Sequence, residues 1–396
     1  MNSSPKPQLQ GEWHPGLDKL RAALESNLAS GTELGLSLSI DVAGQSVADV
    51  WGGWRDRERS AKWTRDTLVN VWSTSKTLSS LAVLMLVDRD LVDLDAPVAR
   101  YWPEFSAAGK QGVLVRNVLG HTSGVSAWET PFHYEEPYDH IASAARLARQ
   151  APWWAPGTAS AYHASNYGHL TGEIVRRVTG KTLGQFIADE IAGPADADYH
   201  LGLDEAEFSR VATIYPPVAL DMSDSLPDDV SGDATDLRSQ VAAKTLAGSM
   251  ADIDRANSAP WRRAQIGASN GHTNAKALTD IFRSITLGES PEGLRFLSAE
   301  TIDRIFETQA DGIDMFLNIP LRWGIGYALP CAGVPFVREG KTFFWGGWGG
   351  SMLTVDLDRQ ITFSYVMNQM QAGTIGSDVV AEYFDIAYRC IDDLQG

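Results

Sequence analysis

The sequence predicts a mixed fold, α+β or α/β in class, in which helices flank one antiparallel β-sheet built from the N- and C-terminal segments. Three observations predict it. Alternating apolar and polar residues occur early, in LGLSLSIDV, and return late in the chain, from RWGIGYALP onward. Between them, from about Gly112 to Phe282, the signals are mostly helical. Strands at both ends with helices between them imply a single sheet that both termini complete.

The first elements follow directly from hydrophobic spacing. After a tail that we expect to be mobile, residues 17–29 have helical spacing. LGLSLSIDV and SVADVWGGW then form two alternating runs separated at Gly44, which is typical of a β-hairpin. A helix is predicted to start at Ser73 and continue through LSSLAVLMLVDRDL, and the next segment is broken by Pro97 and Pro103.

The middle of the chain has the character of an insertion, because its helical segments are joined by long irregular connections. One connection, the acidic stretch around residues 221–236, could shape a cleft entrance, but we expect it to lie in solvent. Strand patterns return in TFFWGGWGG, SMLTVDLD and QITFSYVMN, and an amphipathic helix closes the chain. We therefore predict a discontinuous sheet domain of residues 1–95 and 285–396, a mostly helical domain of residues 96–284, and a functional cleft between them.

Composition limits the classes of partner. The chain has 396 residues, 44% of them hydrophobic, which is enough for a large core. Its 33 basic and 50 acidic residues give a net charge of −17, which repels phosphate backbones and anionic lipids. We therefore expect no nucleic-acid and no membrane partner, and the oligomeric state stays open.

The N-terminal sequence and the cysteines indicate the compartment. MNSSPKPQLQGEWHPG lacks the basic start and apolar core of a secretion signal, and no apolar run approaches the length that spans a bilayer. Only Cys331 and Cys390 occur, too few for a disulfide framework and without a CxxC pair. These features predict a cytoplasmic protein.

Ser73 and Lys76 are the first candidates for chemistry. They are three residues apart at the predicted start of a helix, so the hydroxyl and the amine share one face and can touch. An amine that accepts the hydroxyl proton would make Ser73 a nucleophile, provided that burial lowers the pKa of Lys76. Alternatively, Ser73 caps the helix and Lys76 lies on its solvated face. A second SxxK, at Ser3 and Lys6, contains Pro5 and is predicted to be incidental.

Two later stretches add candidates. In WAPGTASAYHASNYGHLTGE, Tyr162 precedes a predicted helix, where a phenol could pass protons, although a tyrosine can also be a core aromatic. In FFWGGWGGSMLTVDLD, Gly346 and Gly347 interrupt a strand pattern, which indicates either a close approach of the backbone to a ligand or a bulge.

Taken in order, these three elements resemble the serine β-lactamase and penicillin-binding superfamily with its SxxK motif. The resemblance is to the carboxylesterase branch related to class C β-lactamases, the family VIII type. It also covers VRNVLGHTSGVSAW, which is similar to the HTSG region of the family, and so extends over nearly the whole chain. The resemblance implies a β-lactamase/transpeptidase-like fold and a covalent acyl-enzyme.

Carried over by position, the resemblance implies catalytic roles for Ser73, Lys76 and Tyr162. It implies an oxyanion hole formed by the backbone N–H groups of Ser73 and Trp348. The substrate-binding residues that we predict are Trp345, Gly346, Gly347, Trp348, His163 and Trp128. No cofactor and no metal are implied.

Two departures from the family pattern bear on substrate. The β-lactamases of the superfamily have a lysine where this chain has Trp345, and an indole cannot supply the charge that meets a substrate carboxylate. Ala164 replaces the asparagine of the usual YxN; the adjacent Ser165 and Asn166 offer an alternative register, which fits the esterase branch less well. Both changes favour esters without a carboxylate over antibiotics. A third, Asp90 in place of a glycine after the nucleophile helix, is expected to cost only stability.

Rival patterns are weaker. The stretch GASNG, residues 267–271, matches GxSxG, but it lacks the preceding strand and following helix of a nucleophile elbow, so Ser269 is a minor candidate. The eight histidines show no i, i+4 zinc spacing.

Four functions are to be distinguished on these patterns. The first is a serine esterase that cleaves small or short-chain carboxylic esters through an acyl-enzyme on Ser73. The second is an acyltransferase that uses the same intermediate, the third a weak β-lactamase or D-amino-acid peptidase, and the fourth a catalytically silent binding protein. Retention of the serine, lysine and tyrosine argues against the fourth. The expected partner is a small-molecule ester.

Overall fold

The computed structural model describes residues 9–217, 236–250 and 252–395. Twelve strands are formed by these residues: β1 Leu9–Trp13, β2 Gly35–Val42, β3 Gln45–Gly53, β4 Val69–Asn70, β5 Tyr199–His200, β6 His272–Thr273, β7 Ala310–Ile313, β8 Pro320–Trp323, β9 Ala328–Leu329, β10 Thr342–Gly346, β11 Met352–Asp356 and β12 Ile361–Met367.

Twelve α-helices are formed within the same ranges of the chain: α1 Asp18–Ser30, α2 Ser75–Asp88, α3 Val115–Leu119, α4 His140–Arg149, α5 Tyr167–Thr179, α6 Leu183–Ile187, α7 Leu237–Ala247, α8 Ile253–Ala256, α9 Ala259–Arg263, α10 Ala275–Leu287, α11 Ala299–Ile305 and α12 Asp378–Gln395.

One large sheet has the strand order β1-β3-β2-β12-β11-β10-β9-β8-β7, and every neighbouring pair is antiparallel. The N-terminal hairpin meets the C-terminal strands where β2 pairs with β12, from Val42 opposite Ile361 to Leu36 opposite Met367. The prediction of one antiparallel sheet built from both ends of the chain, flanked by helices, is confirmed. The division into two domains at residues 95 and 285 stays a prediction.

Helices cover both faces of the sheet, which explains why its central strands are buried throughout. In β2, Leu38 lies on the side of α1, near Leu20, while the serines alternate onto the other side. There the hydroxyl of Ser37 accepts a hydrogen bond from the N–H of Ala275 at the start of α10. The serines of the alternating pattern therefore meet a helix, although the period alone would also fit a strand with one face in solvent.

The two edge strands of the large sheet were not predicted, nor were the short strands β4, β5 and β6, which pair in the order β4-β6-β5. Both boundaries of α2 were wrong, since the helix ends at Asp88 and not at Leu91. Residues 9–13, expected in the mobile tail, form edge strand β1 against β3. Strand β7 forms the opposite edge. Helix α2 begins at Ser75, two residues later than predicted, because Trp72 to Thr74 form a turn. Most of the acidic stretch of residues 221–236 lies outside the described residues, although Asp236 caps α7 by accepting a hydrogen bond from the Ser239 N–H.

Candidate active site

The turn before α2 presents Ser73. Trp72 has a φ of 47°, a left-handed conformation that is rare for a bulky residue. Its ring is held at its edges by Trp261 and Trp348, with ring centroids 5.8 and 5.2 Å away. In the run from Val69 to Leu86 every residue is buried except Ser73, which is partly exposed. The strained turn therefore brings a single hydroxyl to the surface at the N-terminus of a buried helix.

Lys76 meets Ser73 as the spacing predicted. Its Nζ lies 3.1 Å from the Ser73 Oγ and donates to the carbonyl oxygens of Ala164 and Ala268, each at 2.8 Å. The side chain is buried, with 2% of its surface exposed. Burial lowers the pKa of Lys76 well below its ordinary value. The alternative in which Lys76 lies on a solvated helix face is therefore wrong.

Tyr162 completes the group. Its hydroxyl lies beside Ser73 and accepts a hydrogen bond from the Trp345 Nε1 at 3.2 Å. The Nζ of Lys76 lies 4.6 Å from the centroid of the phenol ring. Burial raises the pKa of Tyr162, so the phenol keeps its proton at neutral pH. The structure thus brings Ser73, Lys76 and Tyr162 into mutual contact.

The end of β10 packs against the nucleophile turn. A Cβ on Gly347 would lie 2.3 Å from the Val71 carbonyl oxygen, so only glycine fits. Ser351 ties the same two segments: its Oγ donates to the Val71 carbonyl at 2.9 Å and lies 3.0 Å from the Thr74 Oγ1. The backbone around Trp348 is therefore fixed beside Ser73.

Two predicted substrate-binding side chains are turned inward, which corrects the prediction for them. His163 is fully buried; its Nδ1 is bonded to the Ala161 carbonyl at 2.7 Å and its Nε2 to the Ser123 Oγ at 2.6 Å. Burial lowers the pKa of His163 to about 3. Trp128 is also fully buried, and its Nε1 donates to the Ser143 carbonyl at 3.1 Å. Neither side chain has a surface open to a substrate.

Several groups that hold Lys76 and Tyr162 in place were not predicted from the sequence. The carbonyl groups of Ala164 and Ala268 hold Lys76, and Trp323 stacks on Tyr162 with ring centroids 6.0 Å apart and an interplanar angle of 9°. Backbone carbonyls carry no sequence signal. Nearness to the tyrosine motif could have indicated Ala164, but nothing in the sequence singles out Trp323.

The rival GxSxG match has a structural role instead. It follows helix α9 and precedes strand β6, the reverse of a nucleophile elbow. Its main chain packs along α2: the Ser79 Oγ donates to the Gly267 carbonyl at 2.7 Å, and the Gly271 N–H donates to the Ser75 Oγ at 2.8 Å. The segment supports the lysine helix. The pair Ser3 and Lys6 lies outside the described residues.

The described residues contain no group of three or more His, Cys, Asp or Glu side chains arranged to hold a metal ion. Within the same part of the chain, every helix is too short or too polar to cross a membrane.

Comparisons with known proteins agree with this geometry. Residues 20–383 match the family model described as Beta-lactamase. The chain is 32% identical over 347 residues to Esterase/beta-lactamase LipL of Mycobacterium tuberculosis, covering 87% of this chain and 79% of that protein. Among solved structures, a family VIII carboxylesterase is similar with a TM-score of 0.88 at 33% identity, covering 97% of this chain and all (100%) of that one. A penicillin-binding protein homologue from Caulobacter crescentus has the same TM-score of 0.88 and the same coverage, at 30% identity.

Proposed function

The chain belongs to the beta-lactamase family, and we propose that within this family it is a serine carboxylesterase that cleaves small or short-chain esters through an acyl-enzyme on Ser73. The observation that carries the proposal is the environment of Lys76. A neutral amine has two N–H donors and one lone pair. In the neutral amine that burial favours, the carbonyls of Ala164 and Ala268 take both N–H donors, and the lone pair then faces the Ser73 hydroxyl at 3.1 Å.

The proposed reaction begins when Lys76 takes the proton of Ser73 and the Oγ attacks the ester carbonyl carbon. The backbone N–H groups of Ser73 and Trp348 are proposed to stabilise the negative charge on the carbonyl oxygen. When the carbon–oxygen bond to the alcohol breaks, the proton held by Lys76 leaves on the alcohol by way of the Tyr162 hydroxyl. Water then attacks the acyl group along the reverse route, releasing the acid and restoring Ser73.

Trp345 supports the choice of an uncharged substrate. Where β-lactamases of the superfamily carry a lysine, this chain has an indole that is 2% exposed and donates to the Tyr162 hydroxyl. The indole keeps a hydrogen-bond donor on the tyrosine but offers no positive charge to a substrate carboxylate. We therefore propose that Trp345, Gly346, Gly347 and Trp348 line the site for an ester that lacks a carboxylate.

The origin of the site residues supports the proposed cleft between two domains. Ser73, Lys76 and Trp345 come from residues 1–95 and 285–396, whereas Tyr162 and the Ala268 carbonyl come from residues 96–284. A substrate that reaches Ser73 would therefore contact both parts. A cytoplasmic location stays a prediction, which cell fractionation would test.

The test compares a series of p-nitrophenyl esters, from acetate to octanoate, for the parent, Ser73→Ala and Ser269→Ala. We expect Ser73→Ala to lose at least about 10³-fold in kcat/KM, and Ser269→Ala, the matched serine of the rival motif, to stay within about threefold of the parent. An initial burst of p-nitrophenol in the parent would report the acyl-enzyme. Equal ester rates in the parent and Ser73→Ala would overturn the proposal.

A second activity, the opening of β-lactams, is favoured by one observation. The name of the Mycobacterium tuberculosis relative pairs esterase with beta-lactamase, and a β-lactam would acylate the same serine. We expect a chromogenic cephalosporin to be opened much more slowly than short esters, because Trp345 cannot bind its carboxylate. Fast cephalosporin opening with negligible ester cleavage would reverse this order. Added alcohols that raise the rate of product formation would instead indicate acyl transfer.

A further inference from the structure

Asp314 lies in the connection between β7 and β8 and is completely buried. Its carboxylate is met by N–H groups. Oδ1 accepts from the backbone N–H groups of Tyr162 and Phe316, each at 3.0 Å, and of Leu317 at 3.1 Å. Oδ2 accepts from the Trp323 Nε1 at 3.2 Å. A buried carboxylate is stable only when its oxygens are satisfied in this way.

Two of these four contacts lead to Tyr162. One fixes its backbone directly, and the other fixes the indole of Trp323, which stacks on the phenol ring. The Trp323 ring also packs against Trp345, with centroids 4.7 Å apart, and the Trp345 indole donates to the phenol hydroxyl. The backbone, the ring face and the hydroxyl of the tyrosine are thus held by one connected set of side chains.

The bonds to Phe316 and Leu317 serve a different purpose. They close a tight turn around the Asp314 carboxylate itself, which fixes the direction of its oxygens. The neighbouring Met315 N–H donates to the Ser160 carbonyl at 2.9 Å, so this turn is docked on the segment that carries Tyr162. The carboxylate therefore has a defined position relative to the tyrosine, which is required of a group that positions another.

We propose that Asp314 is the positioning residue for Tyr162. It holds the phenol so that its hydroxyl stays on Ser73 while a proton passes to the leaving alcohol. The inference rests on the proposed function, since it assigns to Asp314 a part in the same proton transfer. Displacement of a reacting group by about 1 Å can cost about 10²-fold in rate, so loss of this anchor should reduce kcat and leave substrate binding nearly unchanged.

Asp314→Asn is a specific test, because asparagine preserves the shape of the side chain and replaces one acceptor oxygen of the carboxylate with an NH₂ group. Its amide oxygen can still accept from the backbone N–H groups. Its NH₂ group would face the Trp323 N–H, so two donors would meet and the indole would move. Replacing Trp323 with phenylalanine removes that N–H and keeps an aromatic ring on Tyr162. The double variant Asp314→Asn/Trp323→Phe should therefore relieve the conflict.

The experiment measures kcat, KM and the unfolding midpoint for the parent, Asp314→Asn, the double variant and Asp356→Asn. Asp356, at the end of β11, is a matched control because it is equally buried and accepts from Arg359 and Tyr388. We expect Asp314→Asn to lose about 10- to 100-fold in kcat with KM within about threefold. The double variant should recover at least about threefold. Asp356→Asn should lower the midpoint and leave kcat unchanged.

Parent-like kcat in Asp314→Asn would overturn the proposal, and so would a loss of kcat that Trp323→Phe does not relieve. If Asp314→Asn does not fold, Trp323→Phe alone decides: we expect about 3- to 10-fold lower kcat, and parent-like kcat would overturn the proposal. Ser73→Ala separates the two claims. If Ser73→Ala keeps turnover, the proposed function fails; if Ser73→Ala is inactive while Asp314→Asn has parent kcat, only the positioning role fails.

Discussion

Ser351 joins the two backbone segments that carry the proposed oxyanion hole. Its only hydroxyl proton goes to the Val71 carbonyl, so Thr74 must be the donor in the 3.0 Å contact between the Thr74 Oγ1 and the Ser351 Oγ. The Gly347 N–H in turn donates to the Ser351 carbonyl at 2.8 Å. A chain of two hydroxyls therefore links the backbone segments that carry the N–H groups of Ser73 and Trp348.

Removing either hydroxyl should slow catalysis without preventing folding. We expect Thr74→Val, which is nearly isosteric, and Ser351→Ala each to lower kcat about 10-fold, because one misplaced oxyanion donor can cost up to 10²–10³ in rate. The double variant should be little worse than Ser351→Ala, because both changes break the same chain. Steady-state kinetics on p-nitrophenyl butyrate measure this.

Thr354 provides the matched control for the Thr74 and Ser351 variants. It is buried in β11, and its Oγ1 has no hydrogen-bond partner among the described residues. Thr354→Val should therefore leave kcat unchanged and maintain or raise the unfolding midpoint. If the losses of kcat in Thr74→Val and Ser351→Ala added up in the double variant, the inference that both hydroxyls act in one hydrogen-bonded chain would be wrong.

Single residues also mark the limit of what the sequence could predict. Ser73, Lys76 and Tyr162 were identifiable because three short motifs occur in one order, and their side chains do meet. His163 follows Tyr162 directly, but successive side chains of an extended segment point to opposite sides, and sequence adjacency cannot reveal which side faces the substrate. Asp314 was missed because it is 152 residues away from Tyr162 along the chain.

At the scale of elements, the residue that follows α2 has a strained backbone conformation, which a substitution can relieve. Asp90 follows the helix with a φ of 56°, and the Leu91 N–H bonds back to the Leu86 carbonyl at 2.9 Å. This is a C-terminal cap in which glycine is preferred, because a Cβ is unfavourable in the left-handed region. The sequence comparison with the family pattern had indicated this position, and its backbone fits the expectation.

Replacing Asp90 with glycine should stabilise the protein. We expect a gain of about 1 kcal/mol in the free energy of unfolding, measured by urea denaturation, with unchanged kcat because the cap lies at the opposite end of α2 from Lys76. Gly180→Asp is the reciprocal control: Gly180 caps α5 at a φ of 78°, and no atom lies within 4 Å of an added Cβ. It should lose a similar amount. If Asp90→Gly were less stable than the parent, the inference that Asp90 is strained would be wrong.

The strands of the large sheet that the sequence failed to predict share a position. Strands β1 and β7 are the two edges of the sheet, and in β1 only Leu9 is buried. An edge strand is held by hydrogen bonds on one side and needs little apolar periodicity, so the pattern that identified β2 and β12 was absent. The start of α2 was misplaced because a tryptophan at positive φ contradicts its local propensity. Both the edge strands and the start of α2 are therefore determined by contacts with other parts of the chain and not by the local sequence.

On the scale of the whole molecule, Glu33 connects the two ends of the chain. It lies between α1 and β2, is 2% exposed, and its Oε1 accepts hydrogen bonds from Tyr365 of β12 and Tyr383 of α12. The Tyr383 hydroxyl also accepts from Asn27 of α1 at 2.9 Å. The junction through which the termini complete one sheet therefore contains a buried carboxyl group.

Ionisation of this group should make stability depend on pH. Burial raises the pKa of Glu33 from 4.5 to about 8, despite the two tyrosine hydrogen bonds. A raised folded-state pKa gives stability that is fully present below about pH 4.5 and is lost as the pH rises toward 8, because the unfolded chain releases the proton first. The loss from this one group is at most about 1.4 kcal/mol per pH unit.

Glu33→Gln isolates that contribution, since the amide stays neutral at every pH and can still accept from both tyrosines. We expect Glu33→Gln and the parent to differ little in stability near pH 4.5, and Glu33→Gln to become progressively more stable than the parent between pH 5 and 8. Urea unfolding at several pH values measures the difference. Glu289→Gln removes an exposed carboxylate and should show no such divergence. A difference that is constant with pH would mean that Glu33 keeps its ordinary pKa in the folded protein, so that the junction of the termini contains a charge rather than a neutral acid.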